Sequence, residues 1–127
     1  MYENDVTFNT LVGKTLKFVE QGDDSIKFTT EDGEVYRMYH SQDCCESVAI
    51  EDINGDLSDL VGFPVLMAEA NTGERPADRP LTANDYVDSE TWTFYRIATI
   101  RGTVVIRWLG ESNGYYSESV DFVKEKP

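Results

Sequence analysis

Residues 11–20 read LVGKTLKFVE, and residues 60–69 read LVGFPVLMAE. Each stretch follows a short run, Thr7 to Val12 or Asp56 to Val61, that reads as one helical turn stopped by glycine, at Gly13 or Gly62. Each then continues as a strand that closes on glutamate. Further out, the hairpin signal Asp32-Gly33 is answered by Arg101-Gly102, and Glu46-Ser47-Val48 by Glu118-Ser119-Val120. The shared order indicates an internally duplicated unit: helical turn, strand, strand, hairpin, strand, loop, strand. The pseudo-repeats run over 7–54 and 56–125 of a single domain, 1–127.

Between these marks the apolar residues alternate as strands require. Leu16 and Phe18 share a face of the first expected strand, Lys14 to Glu20, and Ile26 and Phe28 mark the second. Glu34 to His40, Ser47 to Ile53, Trp92 to Ile100, Thr103 to Leu109 and Ser117 to Val123 follow. Trp92, Phe94, Tyr95 and Trp108 are read as core and cross-strand packing. The expected fold is mainly β (α+β), an antiparallel sheet, sandwich or barrel of about eight strands with two short helical turns. A long polar loop, 70–90, carries Pro76 and Pro80 and is the expected mobile or partner-contacting segment.

The 127 residues carry a net charge of −13. Such a chain is not built for direct contact with nucleic-acid backbones or anionic membranes, which need Lys and Arg. It suits cations or basic protein surfaces. No apolar run approaches the ~20 residues that span a bilayer. The N-terminus, Met1-Tyr2-Glu3-Asn4-Asp5, has neither the basic start nor the apolar middle of a signal peptide, so a cytoplasmic location is expected. Two cysteines make no secreted framework, and reduced thiols are expected. Nothing in the chain decides between monomer and dimer.

The loop His40-Ser41-Gln42-Asp43-Cys44-Cys45-Glu46 holds the only histidine and both cysteines. His40, Cys44 and Cys45 are the candidate metal ligands, but a structural zinc site needs a second ligand pair. A Cys–His nucleophile pair is the other chemical reading. Against both stands a structural one, with a cysteine facing the core and the carboxylates capping turns. The equivalent loop of the second half has no Cys or His, and an alignment sets His40 opposite Leu109. Together the two loops would make a composite surface of carboxylates, tyrosines and thiols, which favours binding over catalysis. Asp52 to Asp59 begins like a calcium loop, yet Leu57 stands where glycine is required and Phe63 where a bidentate Glu belongs. A turn at Asn54-Gly55 and an N-cap at Asp56 account for it. No nucleotide, zincin or hydrolase motif occurs. No cofactor is expected, and the reading leans away from an enzyme.

Between Arg37 and Arg75 there is no Lys or Arg. Asp43, Glu46, Glu51, Asp52, Asp56 and Asp59 of this stretch, with Glu111, Asn113, Tyr115 and Tyr116 of the second loop, are the expected partner-binding residues. Carboxylates sharing a side would draw a cationic partner and speed its association.

The run H-S-Q-D-C-C-E-S-V-x-I-E-D-I-x-G-D-L-x-D-L-x-G, with W-T-F-Y and G-E-S-N-G-Y-Y-S-E-S-V, resembles a family of small uncharacterised proteins from bacteriophages, prophages and mobile elements, over roughly residues 34–122. The resemblance implies origin rather than mechanism. By class-level analogy, small acidic phage proteins bind and block host proteins. The leading expectation is a non-enzymatic acidic binding protein acting in the host cytoplasm. Its partner would be a basic, nucleic-acid-binding host protein such as a defence nuclease, met by nucleic-acid charge mimicry of the anti-CRISPR or anti-restriction type. The alternatives are a metal- or small-ligand-binding domain centred on Asp43–Glu46, and a structural or self-associating phage protein.

Overall fold

A computed structural model describes residues 5–81 and 88–125. The chain forms strands β1 (Leu16–Gly22), β2 (Ser25–Thr30), β3 (Val35–Tyr39), β4 (Ser47–Asn54), β5 (Met67–Gly73), β6 (Ser89–Thr99), β7 (Gly102–Ser112) and β8 (Asp121–Glu125). They pair antiparallel in two open sheets, ordered β1-β2-β3-β8 and β4-β7-β6-β5. The architecture is a β-sandwich, not a closed barrel. The expected helical turns are 3-10 turns, Phe8–Leu11 and Leu57–Leu60.

The topology has a pseudo-two-fold form. Each half supplies three consecutive strands to one sheet and sends its last strand to the other, so β4 joins β7 and β8 joins β3. The two LVG stretches meet with reciprocal bonds. Gly13 N–H donates to the Val65 carbonyl (2.8 Å), and Gly62 N–H donates to the Leu16 carbonyl (2.9 Å). Gly13 matches Gly62 in the aligned stretches, and Leu16 matches Val65. Both glycines have positive φ, +88° and +92°, where a side chain would be strained.

Alternation places Ile26, Phe28, Tyr36 and Met38 of the first sheet against Ile97, Val104, Ile106 and Trp108 of the second, all at most 1% exposed. Leu11 and Leu60 of the 3-10 turns close the core at the same end. Phe8, Phe28, Tyr95 and Phe122 form edge-to-face contacts, and Tyr36 stacks on Phe122 at 5.7 Å. Trp108 Nε1–H donates to Met38 Sδ at 3.2 Å, joining the sheets.

Most strand boundaries shift by one to three residues from expectation, and two shift by four. The strand expected to close at Glu69 instead begins at Met67 and runs to Gly73, because Val65 is bonded to Lys14 and Gly13 rather than to β6. The connection to β6 is therefore 74–88, not 70–90. The strand expected from Ser117 begins at Asp121, because Glu118 turns its side chain inward.

Candidate functional site

The register places four connections at one end of the sandwich. Gly22 pairs with Ser25, Ser25 with Tyr39 and Tyr39 with Asp121; in the other sheet Ser47 pairs with Glu111, Ser112 with Ser89 and Gly73 with Trp92. The Asp23–Asp24 turn, loop 40–46, loop 113–120 and connection 74–88 all leave from here. Loops 40–46 and 113–120 cross from one sheet to the other, and each folds around a buried glutamate.

In loop 40–46 that glutamate is Glu46, whose side chain is fully buried. Its carboxylate accepts from Asp43 N–H (2.8 Å), Cys44 N–H (3.0 Å) and His40 Nε2 (2.7 Å). The Cys44 N–H does most, and His40 next, to lower the carboxyl to about 2 against the opposing effect of burial. His40 Nδ1 lies 2.6 Å from the Ser119 carbonyl oxygen. A carbonyl only accepts, so Nδ1 carries a proton. With Nε2 on Glu46 and Nδ1 on the Ser119 carbonyl, the His40 ring ties loop 40–46 to loop 113–120. Gln42 completes the turn by donating to the Glu46 carbonyl at 2.6 Å.

In loop 113–120 the counterpart is Glu118, compensated by hydroxyls alone. Thr91 Oγ1 donates to Oε1 at 2.7 Å, and Ser112 Oγ donates to Oε2. Burial, the largest influence, pushes its carboxyl up; the hydroxyls of Ser112, Thr91 and Ser89 outweigh it and leave the carboxyl below its ordinary value. Gly110 makes room for this. A Cβ there would lie 2.6 Å from the Glu118 carbonyl oxygen. Tyr39 pairs with Asp121 and Leu109 with Ala49, each three residues beyond its glutamate. Superposing the glutamates makes Tyr39 the counterpart of Leu109, and His40 that of Gly110. This corrects by one residue the alignment read from sequence.

The structure redistributes the expected partner-binding residues. Asp43, Glu111, Asn113, Tyr115 and Tyr116 lie at the loop-bearing end. Glu46 does too, but buried and bonded internally, so it offers nothing to a partner. Glu51 is likewise engaged, with Arg107 at 2.6 Å and with Arg79. Asp52 is exposed on β4. Asp56 and Asp59 sit at the opposite end, where Asp56 accepts from Ser58 N–H (2.9 Å) as an N-cap and Asp59 faces Arg101 (3.6 Å). Glu69 pairs with Arg96 (3.4 Å). The arginines of the second half thus answer much of the base-free acidic stretch, because β6 and β7 lie between β4 and β5 in one sheet. These carboxylates do not share one side of the sandwich.

Tyr115 is 82% exposed at the tip of loop 113–120. Its backbone is held: Tyr115 N–H donates to Asn113 Oδ1 and Gly114 N–H to Ser112 Oγ, both 2.9 Å, and the Tyr115 ring meets Tyr116 edge-on at 5.0 Å. Among the described residues, no ion pair involves Asp43, Asp88 or Glu111 at this end of the sandwich.

Cys44 and Cys45, expected as reduced thiols, are joined in a vicinal disulfide. Glu46 draws in the neighbouring N–H groups and leaves both residues exposed at the turn. With His40 bonded through both nitrogens, neither the metal nor the Cys–His reading has its ligands or base. Among the described residues, no group of His, Cys, Asp and Glu could hold a metal ion. Nor is any helix long and apolar enough to cross a membrane.

The connection expected to be mobile or partner-contacting is bonded to the second sheet where it is described. Arg75 grips Glu90 with two bonds (3.0 and 2.6 Å) and donates to the Arg79 carbonyl (2.7 Å). Arg75 and Arg107 both lie against Trp92, 5.3 and 5.7 Å from its ring, and Trp92 Nε1–H donates to Glu90. Asp78 reaches Arg107 at 3.3 Å. Residues 82–87 lie outside the described residues. No single motif pointed to this clasp or to Glu118. The repeated Glu-Ser-Val was the one signal available, since it marks both buried glutamates.

No curated protein and no solved structure matches the chain. Residues 9–122 match a family described as a domain of unknown function, DUF7448. They cover the first 3-10 turn except Phe8, the whole of the second, both interior glutamates, β1 to β7 and the first two residues of β8, so the chain belongs to that family.

Proposed function

We propose that this chain is a non-catalytic binding domain that presents its loop-bearing end to a basic protein. The observation that supports this most is Tyr115: a large aromatic side chain, 82% exposed, on a backbone held by side-chain bonds, at the end of the sandwich that also carries Asp43, Asp88 and Glu111, which make no ion pair among the described residues. An aromatic anchor on a held backbone, with charge at the same end, suits a binding hot spot. The charge steers the encounter and the ring supplies the buried area. The partner proposed is a nucleic-acid-binding host protein such as a defence nuclease. The chain itself would be of phage or mobile-element origin and act in the host cytoplasm. Because the arginines answer Glu51, Asp59 and Glu69, the charge mimicry proposed is confined to the loop-bearing end.

Recovery of partners from host-cell lysate tests this at low and at high salt. A basic protein recovered at low salt, released at high salt and lost with Tyr115→Ala or Glu111→Lys is the expected result. Recovery indifferent to salt, or undiminished in both variants, overturns it.

A further inference from the structure

The two sheets have edges at β1, β8, β4 and β5. An exposed edge recruits other strands unless a bulge, a lysine, a proline or a covering segment blocks it. β1 has a bulge between Leu16 and Phe18, with Lys17 in it. β4 has a bulge between Ile50 and Asp52. β8 is covered by the N-terminal segment, where Asp5 bridges Val123 and Val6 N–H donates to the Phe122 carbonyl at 3.1 Å. β5 has no bulge, lysine or proline, and the Phe8–Leu11 turn that packs beside it makes no backbone hydrogen bond to it among the described residues. Its sequence, MAEANTG, holds neither Lys nor Pro, and its register with β6 is unbroken from Met67 to Gly73. Residues 69–73 are all exposed. Gly13 and Lys14 cover only its lead-in at Val65. Among the described residues, no backbone hydrogen bond outside the β6 ladder reaches 67–73.

Beside this edge the sandwich is open. Two clefts of about 450 and 400 Å³ share Ala70, Tyr95 and Val120. They form one trough between β5 and the segment leading into β8, with Phe8 toward one end and Thr93 toward the other. Side chains on one face of a strand added to β5 would stand over it.

We propose that β5 takes up an extended, basic segment of a partner protein as a further strand of the second sheet, with small apolar side chains at alternate positions seated in the trough over Ala70 and Tyr95. Backbone bonds to the edge would supply affinity, and the trough would supply specificity. The basic character is argued from charge. Glu69 on the edge is answered by Arg96, but Glu74 lies just beyond it at the loop-bearing end, and a second copy would set −13 against −13. The choice of a basic partner rests on the binding reading above; the open edge does not.

Isotope-labelled full-length chain titrated with a short peptide alternating Lys and Val, and with its Glu–Val counterpart, tests the proposal by amide exchange. Protection gained at 67–73 with the Lys–Val peptide alone is expected. Ala70→Pro and Asn71→Pro are both made, since adjacent N–H groups point to opposite sides of a strand. The one that keeps the wild-type melting temperature should bind the Lys–Val peptide at least about tenfold more weakly. If both prolines unfold the chain, exchange at 67–73 decides alone. Absence of Lys–Val binding, protection elsewhere than β5, or equal binding of the Glu–Val peptide overturns the proposal. So does full binding by the folded proline variant, or protection of β5 that rises with protein concentration before any peptide is added, which would make a second copy the occupant. Tyr115→Ala should leave peptide binding unchanged, so failure at the loop-bearing end and failure at β5 are separate results.

Discussion

Gly110 and Gly33 are both glycines, but they are needed for different reasons. Gly33 sits in a hairpin at φ +87° with open space where a Cβ would go. Gly110 has ordinary φ, yet a Cβ there would lie 2.6 Å from the Glu118 carbonyl oxygen and 2.8 Å from its Cβ. Alanine at Gly33 should cost about 1–2 kcal/mol, the price of a left-handed residue. Alanine at Gly110 forces one backbone away from another and should cost about 1–3 kcal/mol, as overpacking does. It should also disturb the bonds of Thr91 and Ser112 to Glu118. Urea midpoints measure the costs. Side-chain hydroxyl exchange by NMR separates the cases, since only Gly110→Ala should release the Ser112 and Thr91 protons. His40 makes the corresponding closure in the other loop through its ring. His40→Gln keeps a donor toward one acceptor only, and should loosen loops 40–46 and 113–120 together, read as faster amide exchange in both.

The strands were legible as elements because alternation is a local property: Ile26, Phe28, Tyr36 and Met38 stand at spacing two and all are buried. The exchange of last strands between sheets was not, because alternation says which face is inward and nothing about which neighbour a strand meets. Nor was the clasp on Trp92, since Arg75, Glu90 and Arg107 are far apart in sequence and of types usually left in water. The 3-10 turns offer a test of the pseudo-symmetry at this scale. Leu11 and Leu60 are both wholly buried. Leu11→Ala and Leu60→Ala should each cost about 2–5 kcal/mol. The two values should agree more closely with each other than either does with Val65→Ala, whose smaller side chain leaves a smaller void. For the clasp, Glu51→Ala removes the carboxylate shared by Arg79 and Arg107. Arg107 is only 15% exposed and would be left facing Asp78 alone. Amide exchange at Asp78 and Arg79 should then quicken while the amides of β2 and β3 keep their protection.

At the scale of the molecule, charge works in opposite directions over two ranges of pH. Near neutrality the −13 net charge repels itself and weakens the compact state. Salt screens that repulsion over roughly 10 Å at 0.1 M. Added sodium chloride should therefore raise the melting temperature at pH 7. Lowering the pH toward about 5 should raise it too, as exposed carboxylates begin to lose charge. Further acid reverses the trend. Glu46 and Glu34 are both held near 2 against an ordinary 4.5, Glu46 chiefly by the Cys44 N–H and His40, and Glu34 by Lys124 and Lys14. A carboxyl lowered on folding contributes stability that is complete above its unfolded value and is lost as pH falls through its folded one. That contribution should disappear between about 4.5 and 2. The stability profile should rise from pH 7 to a maximum near pH 5 and then fall steeply. Glu46→Gln and Glu34→Gln should each flatten the acid limb while leaving the salt response at pH 7 in place. A profile that falls steadily from pH 7 downward would show that interior carboxylates, not surface repulsion, dominate the whole range. An acid limb unchanged in both variants would show that neither carboxylate is held as the geometry requires.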